Sequence, residues 1–296
     1  MLDRSFFNRS RRKERREDKL YMTIWQADIS SRPHQNDRGE ILWELVICDA
    51  NGGWYHTAIC PQVQVNSEWI AAQIKLAATD NLPTVIQVFR PQSWGLIQMA
   101  GQKLGIEIVA TRRTIALKKL LQQQTESYSN GNYQPLAIES PPPLPIPEIL
   151  MGDKWQFVTL TAKELVADFN DRPIPIVSMP DYLLPPHWGL GANVAIPGVI
   201  IYGGKQSMRL ARWIAETEPV SLDYLGDDPG GLVLDAGLAD RWVMVTFNDP
   251  EVSRAAKLYE ARKKLVHGLH FLLITPDNSG ITDSGIWLLQ KVISHA

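Results

Sequence analysis

Cysteine is nearly missing from this chain, with only Cys48 and Cys60 among 296 residues. Both fall in what reads as one hairpin whose turn is Asn51-Gly52. In that register Cys48 faces Tyr55, which leaves Cys60 five positions, about 17 Å, further along the strand. That is too far for a disulfide, so reduced, buried and inert thiols are expected. No apolar run approaches the roughly 20 residues of a membrane span. No apolar h-region of the kind that marks a secretory signal follows the N-terminus. The expectation is a soluble, cytoplasmic protein with no membrane insertion. Excess charge of either sign is lacking too. The net charge is −2, so any nucleic-acid site must be a local feature. Histidines at metal-ligand spacing are absent: His267 and His270 flank Gly268 and face different elements. The acids near strand ends in the second half, Asp235, Asp240, Asp249, Asp277 and Asp283, fall in turns or at a helix cap, where aspartate is common anyway. No nucleophile–base pair stands out. The chain is therefore expected to carry no catalytic residues, no metal and no cofactor.

What is present is organised. Residues 1–21 hold eight cations and four acids, a local charge of +4, with few apolar residues. They read as a disordered basic leader. The leader could be an RNA-binding arm or translated sequence upstream of the usual start; the second reading is favoured, because Met22 opens a sensible first strand. From Met22 to about residue 124 the pattern gives an N-terminal α/β domain. Its strands run over 24–29, 41–49, 54–60, 85–89 and 106–109, with a helix over 66–78 capped by Asn66 and further helices after Ser93 and Thr114. The order β-β-β-α-β-α-β-α is that of a ribonuclease-H-like domain. Residues 125–150 form a linker ending in a proline-rich spacer, PPPLPIP.

Residues 151–296 then make a second mixed α/β domain, with strands over 155–160, 194–202, 220–224, 232–234, 242–247 and 269–274. Asp249, followed by Pro250 and Glu251, marks the start of a helix. The β-β-β-α-β order inside this half allows it to be a rearranged relative of the first.

The segment 84–121 holds six cations against the single acid Glu107. Arg90 is expected at the C-terminal end of one strand, and Arg112 and Arg113 at the end of the next. Ligands of open α/β sheets bind at such strand ends. Trp94 lies four residues beyond Arg90, and a basic rim with an aromatic neighbour suits a phosphate backbone with unstacked bases. A solvated basic face is the plainer alternative. In the second half, Gly203-Gly204-Lys205-Gln206-Ser207 imitates a phosphate loop without its glycine spacing, so nucleotide hydrolysis is not expected. Lys205, Arg209 and Arg212 share one helical face there and make a second candidate for anion binding.

Ribonuclease-H-like nucleases hold metal ions between clustered carboxylates. Asp28 and Glu68 could supply two. The other two expected positions carry Arg90 and the run Arg112, Arg113, Lys118 and Lys119 instead. A metal-dependent nuclease is therefore the alternative reading rather than the favoured one. A protein-interaction scaffold without direct RNA contact is another.

IWQADISSRP at the start, ILWELVICD, FRPQ at 89–92, ATRRT at 110–114, and the late GLHFLLI and IWLLQ together resemble the Tab-two/Atab-two-like family of chloroplasts and cyanobacteria. The likeness runs over residues 23 to 290. It implies a non-catalytic RNA-binding protein that promotes translation of photosystem reaction-centre messages, and with it photosystem biogenesis. The implied partner is single-stranded RNA or a message leader, with translation or assembly factors as further candidates and no oligomeric state assigned. The resemblance also links the tripeptide Trp287, Leu288 and Leu289 to RNA binding, although Trp-Leu-Leu is equally the signature of a core strand.

Overall fold

The computed structural model describes residues 23–78, 81–125, 135–136, 138, 141–170, 172–226 and 229–292. The basic leader, the start at Met22 and much of the linker lie outside the described residues. Two compact units result, dividing between Ile138 and Glu139.

In the first unit, β1 (Ile24–Gln35), β2 (Ile41–Asp49) and β3 (Tyr55–Pro61) form an antiparallel meander. Helix α1 (Ser67–Ala77) follows, then β4 (Val85–Val88), α2 (Pro91–Leu104), β5 (Glu107–Ala110) and α3 (Ile115–Thr125). One five-stranded mixed sheet has the order β3-β2-β1-β4-β5, with β4 and β5 parallel to β1. Helices cover both faces. On one, Trp25, Ala27, Ile29, Leu45, Ile47 and Ile86 pack with Ile70 and Ile74 of α1 and Ile97 of α2. On the other, Val46, Cys48 and Phe89 pack with Leu117 and Leu121 of α3. Alternating residues of β2 therefore face two cores, Leu45 and Ile47 one and Val46 and Cys48 the other.

The local signals act as chemistry requires. Asn66 caps α1 by accepting from Trp69 N, and Gly105 closes α2 in the left-handed region at φ 69°. Cys48 stands opposite Tyr55 and Cys60 opposite Trp43, and both thiols are free and buried. Burial, and then the nearby Asp49 charge, push the Cys48 thiol up to about 12, which keeps it protonated and unreactive. Two expectations differ. β1 runs six residues beyond the expected Ile29, because Gln35 regains β2 opposite Ile41 after an irregularity that accommodates Pro33. And Ser93 is not a cap: α2 starts at Pro91 behind an extended Arg90.

The second unit starts with β6 (Leu144–Pro145), a two-residue edge strand inside the proline-rich stretch. Then come β7 (Lys154–Thr161), α4 (Ala162–Asn170), β8 (Ile176–Ser178), β9 (Ala195–Tyr202) and α5 (Ser207–Glu216). After these stand β10 (Pro219–Leu225), β11 (Gly230–Ala236), β12 (Asp240–Phe247), α6 (Pro250–Leu265), β13 (Leu269–Thr275) and β14 (Gly285–Gln290). The strands divide between a four-stranded sheet, β10-β11-β12-β6, and a five-stranded one, β7-β9-β13-β14-β8. Both are mixed. The meander β10–β12 thus makes a sheet of its own, whereas in the first unit the meander and the parallel strands share one. The core between the sheets gathers Val199, Leu272 and Trp287 from one, Leu222, Leu234 and Met244 from the other, and Leu210 and Ile214 from α5. Gly198 lets β9 lie against the ring of Phe271; any side chain there would enter that ring.

Candidate nucleic-acid interface

In the first unit much of the basic rim is engaged by partners within the protein. Arg90 Nε donates to Asp28 Oδ1 and Oδ2 at 3.0 and 3.1 Å, and its Nη2 to Oδ2 at 3.0 Å. The Asp28 side chain is 1% exposed and that of Arg90 12%. Arg90 Nη2 also donates to the Pro135 carbonyl. Ser93, one turn into α2, donates to Asp28 Oδ1 at 2.6 Å. Expected as a phosphate contact, Arg90 instead neutralises a carboxylate buried in the sheet, and its guanidinium is committed there. Its partner lies 62 residues earlier in the chain, so no local pattern reveals the pair.

The same holds elsewhere on the rim. Lys103 of α2 binds Glu68 and donates to Ser67 Oγ at 3.0 Å. The hydrogen bond that Lys103 donates to the Glu68 carboxylate holds that carboxyl below its ordinary range. Both acids of the nuclease alternative are therefore matched by cations, a donor set that disfavours a divalent metal. No group of three or more metal-ligating side chains occurs among the described residues. Lys118 is half-buried, its Nζ 2.5 Å from the Arg112 carbonyl and 5.4 Å from the Phe89 ring centre. Burial, and then the Arg112 charge, lower its pKa to about 8. Trp94, expected as a stacking face, packs half-buried on the core, and its indole N–H is buried without a hydrogen-bond partner. Arg112 is half-buried, while Arg113 is exposed. Of the expected contacts in this unit, Arg113 keeps the open geometry.

In the second unit, α5 has two distinct faces. Leu210, Ala211 and Ile214 are fully buried, while Lys205, Arg209 and Arg212 are exposed. No carboxylate pairs with these three cations among the described residues. Phosphate at the α5 N-terminus would meet competition, because the Asp153 carboxylate lies where a side chain at Gly204 would project. The cationic row along the helix is the open feature, rather than the loop that resembles a phosphate loop.

Trp287, Leu288 and Leu289 are 1%, 2% and 2% exposed at the centre of β14. Trp287 and Leu289 enter one core and Leu288 the other. At that exposure all three side chains are core residues of the sheet, the plainer of the two readings of Trp-Leu-Leu.

Sequence reasoning missed a buried polar knot in this unit. Lys263, 1% exposed, binds Asp223, Glu260 at 2.8 Å and the Leu222 carbonyl at 2.8 Å. His270 Nε2 accepts from Leu222 N at 2.8 Å, so its proton is on Nδ1, 2.8 Å from the Gly268 carbonyl. Lys263 was hidden in a run, Arg262-Lys263-Lys264, that reads as a solvated helix end.

Fold and side chains together define a two-unit, mixed α/β protein with an open cationic helix face in its second unit. The chain belongs to the Tab2/Atab2 family of RNA-binding proteins. Residues 24–124 match the family model "RNA-binding protein Tab2/Atab2 N terminal" and residues 133–290 the model of its C-terminal domain. The chloroplastic protein TAB2 homolog of Arabidopsis thaliana is 31% identical over 279 residues, covering 90% of this chain and 74% of the relative. The homolog of Zea mays is 31% identical over 281 residues, covering 90% and 70%. Among solved structures, the HTLV-2 integrase catalytic core domain with magnesium covers 38% of this chain and 75% of its own. At 17% identity and a TM-score of 0.25 that likeness carries no argument.

Proposed function

We propose that this protein binds single-stranded RNA, in particular leaders of photosystem reaction-centre messages, and promotes their translation and so photosystem biogenesis without catalysing a reaction. Family membership supports RNA as the partner. The observation that carries the reading is the row formed by Lys205, in the turn just before α5, with Arg209 and Arg212 on α5, all exposed and without a carboxylate partner among the described residues. Such cations gain most from a polyanion, because no internal ion pair has to break first. Arg113 is the matching contact in the first unit. A ribonuclease-H-like origin for that unit is part of this reading, supported by its strand order and by the occupation of Asp28 and Glu68 by cations. The protein acts in the cytoplasm, with translation or assembly factors as further partners. The relatives named above are chloroplastic, and no helix among the described residues is long and apolar enough to cross a membrane.

The test joins a binding measurement to an identification. Replacing Lys205, Arg209 and Arg212 together by alanine should weaken binding of a single-stranded message leader. It should also flatten the plot of log affinity against log salt by about 2, at roughly 0.7 per lost contact. Crosslinking in cells and sequencing of the bound RNA should enrich reaction-centre leaders, and added magnesium should leave that RNA uncut. An unchanged salt slope removes the site, recovery of unrelated RNA removes the photosystem role, and cleavage removes the non-catalytic reading.

A further inference from the structure

Beside the cationic row lies an aromatic pair that the row alone does not explain. Trp213 is on α5, next to Arg212 and one turn after Arg209. Its ring centre is 5.3 Å from that of Trp242 on β12, with the planes at 77°. Both indoles are half-buried: they rest on the core between the two sheets and reach the surface. Trp242 stands across from Leu144 of the edge strand β6, which is itself 59% exposed. An edge-to-face contact occupies one face of one ring and an edge of the other, so the pair does not use up its own π surface. The only acid on α5 is Glu216, at its last position.

Aromatic surface that partly reaches water, set beside arginines with no carboxylate partner among the described residues, fits a ligand that presents negative charge and flat π faces together. A peptide partner would need carboxylates for the arginines and apolar side chains for the rings. A single strand of RNA supplies phosphate and base from every nucleotide. We infer that Trp213 and Trp242 form a stacking platform for one or two unstacked nucleobases of RNA whose phosphates lie on Arg209 and Arg212. The inference rests on the RNA-binding reading of α5 and adds to it the component of RNA that is recognised. It gives Trp213 and Trp242 a stacking role of the kind expected of Trp94 in the first unit.

The test uses the full chain and two probes of equal length, an oligouridylate and a ribose-phosphate strand without bases. The parent should prefer the oligouridylate. Trp213→Ala should lower oligouridylate affinity about 5- to 150-fold, the loss of one stacked base, while leaving the salt slope and the affinity for the baseless strand as they were. Trp213→Phe should keep most of the affinity. Equal binding of the two probes by the parent, or full oligouridylate affinity in Trp213→Ala at the parental melting temperature, overturns the platform and leaves the RNA-binding reading intact. Failure of the parent to bind either probe overturns both. If Trp213→Ala does not fold, photo-crosslinking of a 5-bromouridine strand to the parent decides: adducts on Trp213 or Trp242 support the platform, and adducts only elsewhere refute it.

Discussion

Replacing Arg90 by alanine separates a residue that holds the first unit together from one that touches RNA. Asp28 is 1% exposed, and among the described residues its charge-assisted hydrogen bonds from a cation come from Arg90. Once Arg90 is gone, Ser93 alone among those partners remains to face a buried carboxylate. Breaking a buried pair by removing one partner costs about 3–5 kcal/mol, because the remaining charge is left desolvated. For a unit of about 100 residues, at roughly 4–8 °C per kcal/mol, the melting transition should fall by about 10–40 °C. Calorimetry of the full chain reads this as a shift of one transition while that of the other unit stays in place. The double variant Asp28→Leu with Arg90→Met should recover most of the loss, since it removes both charges and keeps apolar volume. RNA affinity of Arg90→Ala, measured well below its transition, should keep the parental salt slope. A melting temperature within a degree or two of the parent, together with a flatter salt slope, would refute the argument and return Arg90 to the binding surface.

Two further outcomes follow from the second unit. Trp287→Ala should cost about 3–5 kcal/mol by leaving a cavity between the sheets, and any loss of RNA binding should follow the loss of near-ultraviolet circular dichroism. Binding lost at an unchanged melting temperature would show direct contact instead. Stability should also fall on mild acidification. Burial, and then the Lys263 charge, push His270 from its ordinary 6.5 down to about 3, against Asp223 and the Gly268 carbonyl, which raise it, and alongside Lys291. The unfolded chain takes up a proton below pH 6.5 that the folded one refuses until about pH 3. Stability is therefore full above 6.5 and declines through that window by about 1.4 kcal/mol per pH unit. Burial works to raise the Asp223 carboxyl, yet Lys263, Lys291 and His270 hold it at about 2, so its contribution persists above about pH 4 and is lost towards pH 2. Urea unfolding at pH 7.5 and pH 5 measures the histidine part, and equal stabilities at the two would contradict it.

The sequence is most informative where a few neighbouring residues decide the outcome. The turn at Asn51-Gly52 sets Cys48 opposite Tyr55, Asn66 starts one helix, and Asp249 with Pro250 starts another. Each is a local choice of backbone or cap, and each is as read. What could not be read depends on distant pairing. Nothing in the periodicity of 219–247 says that β10–β12 will leave the sheet of β9 and β13, because strands of either sheet need the same apolar residues. β8, three residues in a proline-rich stretch, has too little sequence to announce itself. Site chemistry follows the same division. The amphipathic phase of α5 exposes Arg209 and Arg212 as helical spacing demands, while Lys205 falls in the turn just before the helix. The fates of Arg90 and Lys263 depend on Asp28 and Asp223, each at least 40 residues away.

An anion site therefore cannot be ranked by counting cations along the chain. In the first unit the richest segment holds six, yet Arg90 is neutralised by Asp28, Lys103 by Glu68, and Lys118 lies half-buried against a carbonyl and an aromatic ring. Arg113 and Lys119 are the exposed cations there with no carboxylate partner among the described residues. The second unit has a sparser segment, but Arg209 and Arg212 on α5 and Lys205 just before it all stay exposed, and α5 itself supplies only the acid Glu216, at its last position. A phosphate that approached Arg90 would compete with a carboxylate held by three hydrogen bonds, whereas one that approached Arg209 displaces only water. The difference in counter-ions, more than any difference in charge, makes α5 the stronger candidate for the RNA contact.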